Sequence, residues 1–130
     1  MDDLDRNGGR FRPENAIHAT KRTENDLYTY KAAVERVVDG DTIIVKIDLG
    51  FGNRCREYLR FRGIDAPEID TPEGKKARQF VVNELAKVDH IILTSTKSDK
   101  YGRYLADVYY GDGKHLNQKL LDEKLVLYYY

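Results

Sequence analysis

A chain of 130 residues, 41% of them hydrophobic and 11% aromatic, holds enough apolar material for one compact core and is too short for two full domains. With 34% of residues charged, no run of about 18 or more apolar residues is left to cross a bilayer, so a soluble chain is expected. Lys plus Arg and Asp plus Glu stand equal at 22 each, so no net positive field advertises a nucleic-acid partner, and any such binding has to come from local arrangement.

Residues 1–26 carry five basic and six acidic side chains and few apolar ones, without sustained periodicity, and read as a flexible polar leader. This segment has no basic start followed by an apolar stretch, so no export signal is read. As it stands the chain is expected to be cytoplasmic, and secreted or membrane-anchored only if it was trimmed from a longer protein.

A folded domain is expected over 27–130. Tyr28 to Val38 and Asp41 to Ile47 are rich in Val, Ile, Thr and Tyr and read as two strands around the turn at Asp39-Gly40. Leu49-Gly-Phe-Gly-Asn53 reads as a loop. A third strand follows over Arg54 to Arg62, with Leu59 and Phe61 on one face and Tyr58, Arg60 and Arg62 on the other. Thr71-Pro72-Glu73 offers an N-cap, a proline and an acid for a helix running to about Lys87, with Ala77, Phe80, Val81, Leu85 and Ala86 as its apolar stripe. Strands over His90 to Thr96 and Tyr104 to Tyr110, a tight turn at Gly111-Asp-Gly113 and a helix over Leu116 to Val126 complete the string. The class is mainly β (α+β). The order fits a five-stranded OB-type barrel with a helix between strands three and four and a C-terminal helix, although a split α+β sheet would give much the same string.

Taken singly, the polar clusters have plain readings: Asp39-Gly40-Asp41-Thr42 as a turn, Glu68 as a solvated loop acid, Arg60 and Arg103 as surface arginines. Cys55 reads as a small buried strand residue, and a lone cysteine cannot form an internal disulfide. His18, His90 and His115 lack metal-ligand spacing. Taken together, Asp41, Asp65 and Glu68 offer hard oxygen ligands suited to Ca²⁺ or Mg²⁺ rather than zinc. Guanidinium forks beside such a cation make a phosphate site, and phosphodiester chemistry is the obvious use.

The residues Val37-Val-Asp-Gly-Asp-Thr42, Leu59-Arg-Phe-Arg-Gly-Ile-Asp-Ala-Pro-Glu68 and Asp99-Lys-Tyr-Gly-Arg-Tyr-Leu-Ala106, in this order, resemble the staphylococcal nuclease (thermonuclease) family, and the likeness runs from about Tyr28 to Tyr130. The resemblance implies an OB barrel and Ca²⁺-dependent hydrolysis of single-stranded DNA and of RNA without regard to the sugar. The P–O5′ bond would break, leaving 3′-phosphates, and Mg²⁺ would support catalysis less well. By motif position, Asp41 and Asp65 would bind Ca²⁺, Ala66 would add its backbone carbonyl, and Asp39 would support them. Glu68 would be the general base, and Arg60 and Arg103 would bind phosphate and stabilise the transition state. Lys100 and Tyr101 would contact the substrate's terminal phosphate region, and Tyr130 would stack on a base, while Tyr128 and Tyr129 read as packing over the barrel with hydroxyls in water. The domain is expected to be monomeric, by itself or within a longer chain. It departs from the family in a longer loop over Asp48 to Asn53 and a shorter segment between Glu68 and the helix. A catalytically silent oligonucleotide-binding module and a protein-interaction barrel are the alternative readings.

Overall fold

Strands β1 (Thr29–Asp39), β2 (Thr42–Gly50) and β3 (Asn53–Phe61) form an antiparallel meander whose inward positions are apolar: Ala32 and Val37, then Ile43, Val45 and Ile47, then Leu59 and Phe61. The alternation of buried and outward side chains is what a strand with one face on a core requires. The structure, a computed structural model, describes residues 28–98 and 102–129; the expected leader, His18, Lys100, Tyr101 and Tyr130 lie outside the described residues. β1 carries register shifts between Val34 and Arg36 and between Val37 and Asp39. Bulges of this kind bend a strand, as barrel curvature needs.

The loop expected over Leu49–Asn53 is shorter than the sequence suggested, because β2 runs on to Gly50 and β3 begins at Asn53. Gly50, Phe51 and Gly52 all have left-handed backbones, with φ of 81°, 56° and 78°, and Asp48 Oδ1 accepts the Gly50 N–H at 2.8 Å. An Asx-type bond and two glycines let the chain reverse at once.

Beyond β3 come β4 (Ile64–Asp65), α1 (Pro72–Leu85), β5 (Ile91–Ser98), β6 (Tyr104–Tyr110), β7 (Lys114–His115), α2 (Leu116–Asp122) and β8 (Leu127–Tyr128). The large sheet has the order β3-β2-β1-β5-β6-β7, and β3 also pairs in parallel with β6 through Leu59–Tyr104, Arg60–Leu105 and Phe61–Ala106. That pairing closes β1, β2, β3, β6 and β5 into a five-stranded barrel and decides between closure and a split sheet. Among the described residues no helix is long and apolar enough to cross a membrane.

α1 starts where the sequence places it: Thr71 Oγ1 accepts the Gly74 N–H at 3.0 Å, and Pro72 fills the first helical position. Ala77, Val81 and Leu85 of its expected stripe are buried and Phe80 packs against the core half-buried, while Ala86 is exposed beyond the helix end. α2 stops at Asp122 instead of Val126. Lys124 turns left-handed with φ of 59°, its N–H donates to the Leu121 carbonyl at 3.0 Å, and the Leu125 N–H donates to the Leu120 carbonyl at 3.1 Å. These two bonds are a Schellman cap, formed here without the usual glycine.

Tyr128 and Tyr129 were expected to pack on the barrel, and the tail docks there chiefly through its backbone. β8 pairs with β4 through Ile64–Tyr128 and Asp65–Leu127, and the Tyr129 N–H donates to the Gly63 carbonyl at 2.9 Å, while the Tyr128 and Tyr129 side chains stay largely exposed.

Candidate functional site

The β1–β2 turn presents Asp39 and Asp41, and the glycine between them has no room for a side chain. A Cβ on Gly40 would stand 2.7 Å from the Ala77 Cβ on α1 and 3.0 Å from the Ala66 Cβ. The turn is thereby pressed against both the helix and the segment after β4. Asp39 Oδ1 accepts the Asp41 N–H at 3.0 Å, which sets the turn. The Asp41 carboxylate is buried and held from two sides: Thr42 Oγ1 donates to Oδ1 at 3.0 Å, and the Ala66 N–H donates to Oδ2 at 2.9 Å.

Arg60 projects from the outward face of β3, yet the residue is only 9% exposed. Its Nη1 donates to the Ile64 carbonyl at 2.9 Å and the Phe61 carbonyl at 3.3 Å; its Nη2 donates to Asp65 Oδ1 at 3.0 Å and lies 3.5 Å from Asp41 Oδ2. One guanidinium thus joins Asp41 to Asp65 across the mouth of the barrel. Its planar fork serves these partners at once, which a lysine ammonium could not. The Tyr129 ring lies 5.3 Å from the guanidinium carbon, a cation–π contact. Arg103 approaches from just before β6, its Nη1 donating to Thr42 Oγ1 at 3.4 Å, so the Thr42 hydroxyl links Arg103 to Asp41.

Glu68 is exposed, two residues past the Ala66 anchor, and its backbone is locked. Its carbonyl accepts from the Thr71 N–H at 3.0 Å and the Thr71 hydroxyl at 2.6 Å, and a Cβ on Gly74 would run into that same carbonyl. The first turn of α1 therefore fixes the peptide that carries Glu68.

Burial, followed by the hydrogen bond to Asp41, pushes the Asp39 carboxyl up to about 6. Burial also opposes the charge on Asp41. It is outweighed by the hydrogen bonds from Asp39 and the Ala66 N–H and by the Arg60 charge, so this carboxyl sits below the usual range. Of the two, Asp39 is the one that takes up a proton first as pH falls, while Asp41 stays a carboxylate.

The acids gathered here, Asp39, Asp41 and Asp65, offer only oxygen, the hard kind of donor that Ca²⁺ or Mg²⁺ would take. Among the described residues no three His, Cys, Asp or Glu side chains form a ready-made metal cage, so Asp41, Asp65 and Glu68 do not converge as one, and the two acids that do meet do so on Arg60. Two carboxylates completed by water suit a cation that keeps part of its hydration shell. The histidines stand elsewhere: His90 is exposed beside Asp89, while His115 stacks on Tyr109 and bonds Asp107. Cys55 is half-buried rather than buried, and its thiol is pushed up by a hydrogen bond to Glu57.

The structure gathers Asp39, Asp41, Arg60, Asp65, Ala66 and Arg103 by direct contacts, and holds Glu68 close by through its backbone. Three contributors were not assigned to the site from sequence. Gly74 clears the Glu68 carbonyl. Tyr129 lies against Arg60. Buried Asn117 donates to the Arg62 and Ala106 carbonyls, at 3.0 and 3.1 Å, and accepts the Val108 N–H at 3.0 Å, tying α2 to the β3–β6 seam. Only Asn117 left a trace in sequence, as an amide opening an apolar helix.

The sequence model described as "Staphylococcal nuclease homologue" matches residues 58–130. A thermonuclease of Staphylococcus intermedius is 35% identical over 115 residues, covering 81% of this chain and 63% of its own length. A thermonuclease of Staphylococcus hyicus is 37% identical over 107 residues, covering 75% of this chain and 57% of its own length. Endonuclease YhcR of Bacillus subtilis (strain 168) is 34% identical over 105 residues, which make up 71% of this chain but 8% of that protein. The chain thus spans less than two thirds of the length of these relatives. A match over more than half the chain, on a closed barrel bearing these acids and arginines, means that the chain belongs to the staphylococcal nuclease homologue family.

Proposed function

We propose that this domain is a Ca²⁺-dependent endonuclease that hydrolyses phosphodiester bonds of single-stranded DNA and of RNA without regard to the sugar, leaving 3′-phosphates. The observation that carries the reading is the Arg60 guanidinium set between Asp41 and Asp65, with Arg103 joined to the same cluster through Thr42. Nuclease names among the relatives support the reaction class.

Ca²⁺ held by the Asp41 and Asp65 carboxylates and the Ala66 carbonyl, with Asp39 in support, would supply positive charge to the phosphoryl oxygens. Arg60 and Arg103 bring guanidinium charge to the scissile phosphate and meet the charge that grows on its oxygens. Glu68, exposed on a locked peptide, takes the proton of the attacking water as its oxygen bonds to phosphorus. The P–O5′ bond breaks on the opposite side, and the departing O5′ collects a proton from solvent. Lys100 and Tyr101 are proposed to hold the terminal phosphate region and Tyr130 to stack on a base. The domain acts as a monomer.

Cleavage of a labelled single-stranded DNA oligonucleotide and of an RNA, each with Ca²⁺, Mg²⁺ or EDTA, tests the reading. Cutting is expected with Ca²⁺, to be abolished by EDTA, and to fall by about 10²- to 10⁴-fold in Glu68→Gln. Intact substrate with folded wild-type protein and Ca²⁺ would refute it, and oligonucleotide binding without cleavage would mark a silent binding module.

A further inference from the structure

We infer that the β2–β3 hairpin is a binding track that leads a single nucleic-acid strand away from Arg60, with Phe51 at its tip as a base-stacking platform. The inference rests on the nucleic-acid reading of the Arg60 site and extends it to a surface outside that site.

The register places the track on the same face as Arg60. Thr42 pairs with Arg60, Ile44 with Tyr58, Lys46 with Arg56 and Asp48 with Arg54, and directly paired residues point to one side of a sheet. β1 continues the rows, with Lys31 opposite Asp48 and Arg36 opposite Ile44. This outer face carries five basic side chains, Lys31, Arg36, Lys46, Arg54 and Arg56, against the acids Glu35 and Asp48. All five bases are exposed. Glu35 is engaged by Arg56 at 2.9 Å, and Asp48 accepts a backbone N–H in the turn. A chain with no net charge has therefore placed a positive surplus along this face, leading away from the acids that surround Arg60.

Aromatic rings are interleaved with the charge. Tyr58, 45% exposed, has the Arg56 guanidinium carbon 5.8 Å from its ring centroid. Phe51 is fully exposed at the hairpin tip and holds a left-handed backbone, φ 56°, that is unfavourable for a bulky residue. The fold presents a phenyl ring to water on a strained turn whose neighbours are both glycines. From Arg60 to Arg54 the strand spans roughly 20 Å, room for several nucleotides. A basic strip with spaced aromatic faces fits a single strand, whose unpaired bases can stack while its phosphates follow the positive charge.

The test measures binding of a labelled single-stranded oligonucleotide of about a dozen nucleotides in EDTA across a salt series, alongside Ca²⁺-dependent cleavage of that strand and of a dinucleotide. Lys46→Ala/Arg54→Ala is expected to weaken binding about tenfold and to flatten the log–log salt slope by about 1.4, for two lost phosphate contacts on a single strand. Phe51→Gly relieves the left-handed backbone, so the fold is kept; it is expected to weaken binding about tenfold with the slope unchanged. Dinucleotide cleavage should match wild type in both variants. Wild-type affinity in both variants would overturn the track, as would a loss of dinucleotide cleavage equal to the loss on the long strand. Phe51-dependent binding to phosphatidylserine vesicles in place of the oligonucleotide would overturn it too. Wild-type protein that binds the strand with these variant effects, but cuts neither substrate, would support the track and refute the nuclease reading alone.

Discussion

Arg60 is the side chain on which the site converges. Arg60→Lys keeps the charge but cannot donate to Ile64, Phe61 and Asp65 while also lying beside Asp41. Its cleavage rate is expected to fall by about 10²-fold or more, close to the loss in Arg60→Ala, with the melting temperature of the lysine variant nearer wild type. Steady-state rates and thermal melts on both variants check this. A second residue-scale prediction concerns Glu84, buried on α1, which accepts from Lys87 at 2.7 Å and from the Tyr110 hydroxyl at 2.7 Å. Those hydrogen bonds hold its carboxyl below the usual range, so the folded state binds fewer protons than the unfolded state. Stability from this group is therefore present above about pH 4.5 and is lost as pH falls through the lower folded value. Glu84→Gln should flatten the acid limb of a stability–pH curve, measured by urea unfolding between pH 5 and pH 3.

At the scale of elements, one glycine and one lysine in a glycine-like place make opposite predictions. Gly74 lets the first turn of α1 lie on the Glu68 carbonyl, so Gly74→Ala, helix-favouring elsewhere, has to push that turn and the Glu68 loop apart. Cleavage is expected to drop about tenfold or more and the melting temperature to fall, both read from purified protein. Lys124 occupies the left-handed position of the α2 cap where glycine is usual, so Lys124→Gly should raise stability by about 1 kcal/mol in denaturant unfolding, with activity unchanged. The elements themselves were largely legible. Alternating Val and Ile marked the strands, and Thr71-Pro72 marked the start of α1, because their signals lie within a few residues. The early end of α2 was hidden because Leu, Glu, Lys and Val carry no local stop signal, and the cap depends on one lysine adopting an uncommon backbone. β4 and β8 were invisible for a different reason: two residues each leave no periodicity to read, and each is a strand only because the other is there.

For the whole molecule, barrel closure explains why the site could be read in pieces but not assembled from sequence. Asp39-Gly-Asp-Thr42 and Ile64-Asp-Ala-Pro-Glu68 were each recognisable, yet their meeting depends on Gly40 fitting between Ala77 and Ala66 and on the β3–β6 pairing beside Arg60. The place of Tyr129 beside Arg60 likewise follows from the docking of β8 on β4, a long-range pairing with no local signature.

That docking also sets the order in which the molecule becomes competent. Ile64–Asp65 is held by Leu127–Tyr128 and by the Tyr129 N–H, so the segment carrying one of the two bridged acids waits for a partner more than sixty positions downstream. Contacts this distant come late as a chain folds, and a ladder this short is the first to fray. The barrel can therefore be fully formed while the Asp65 side of the acid cluster is still unassembled, and gentle heating would release that side well before the barrel gives way.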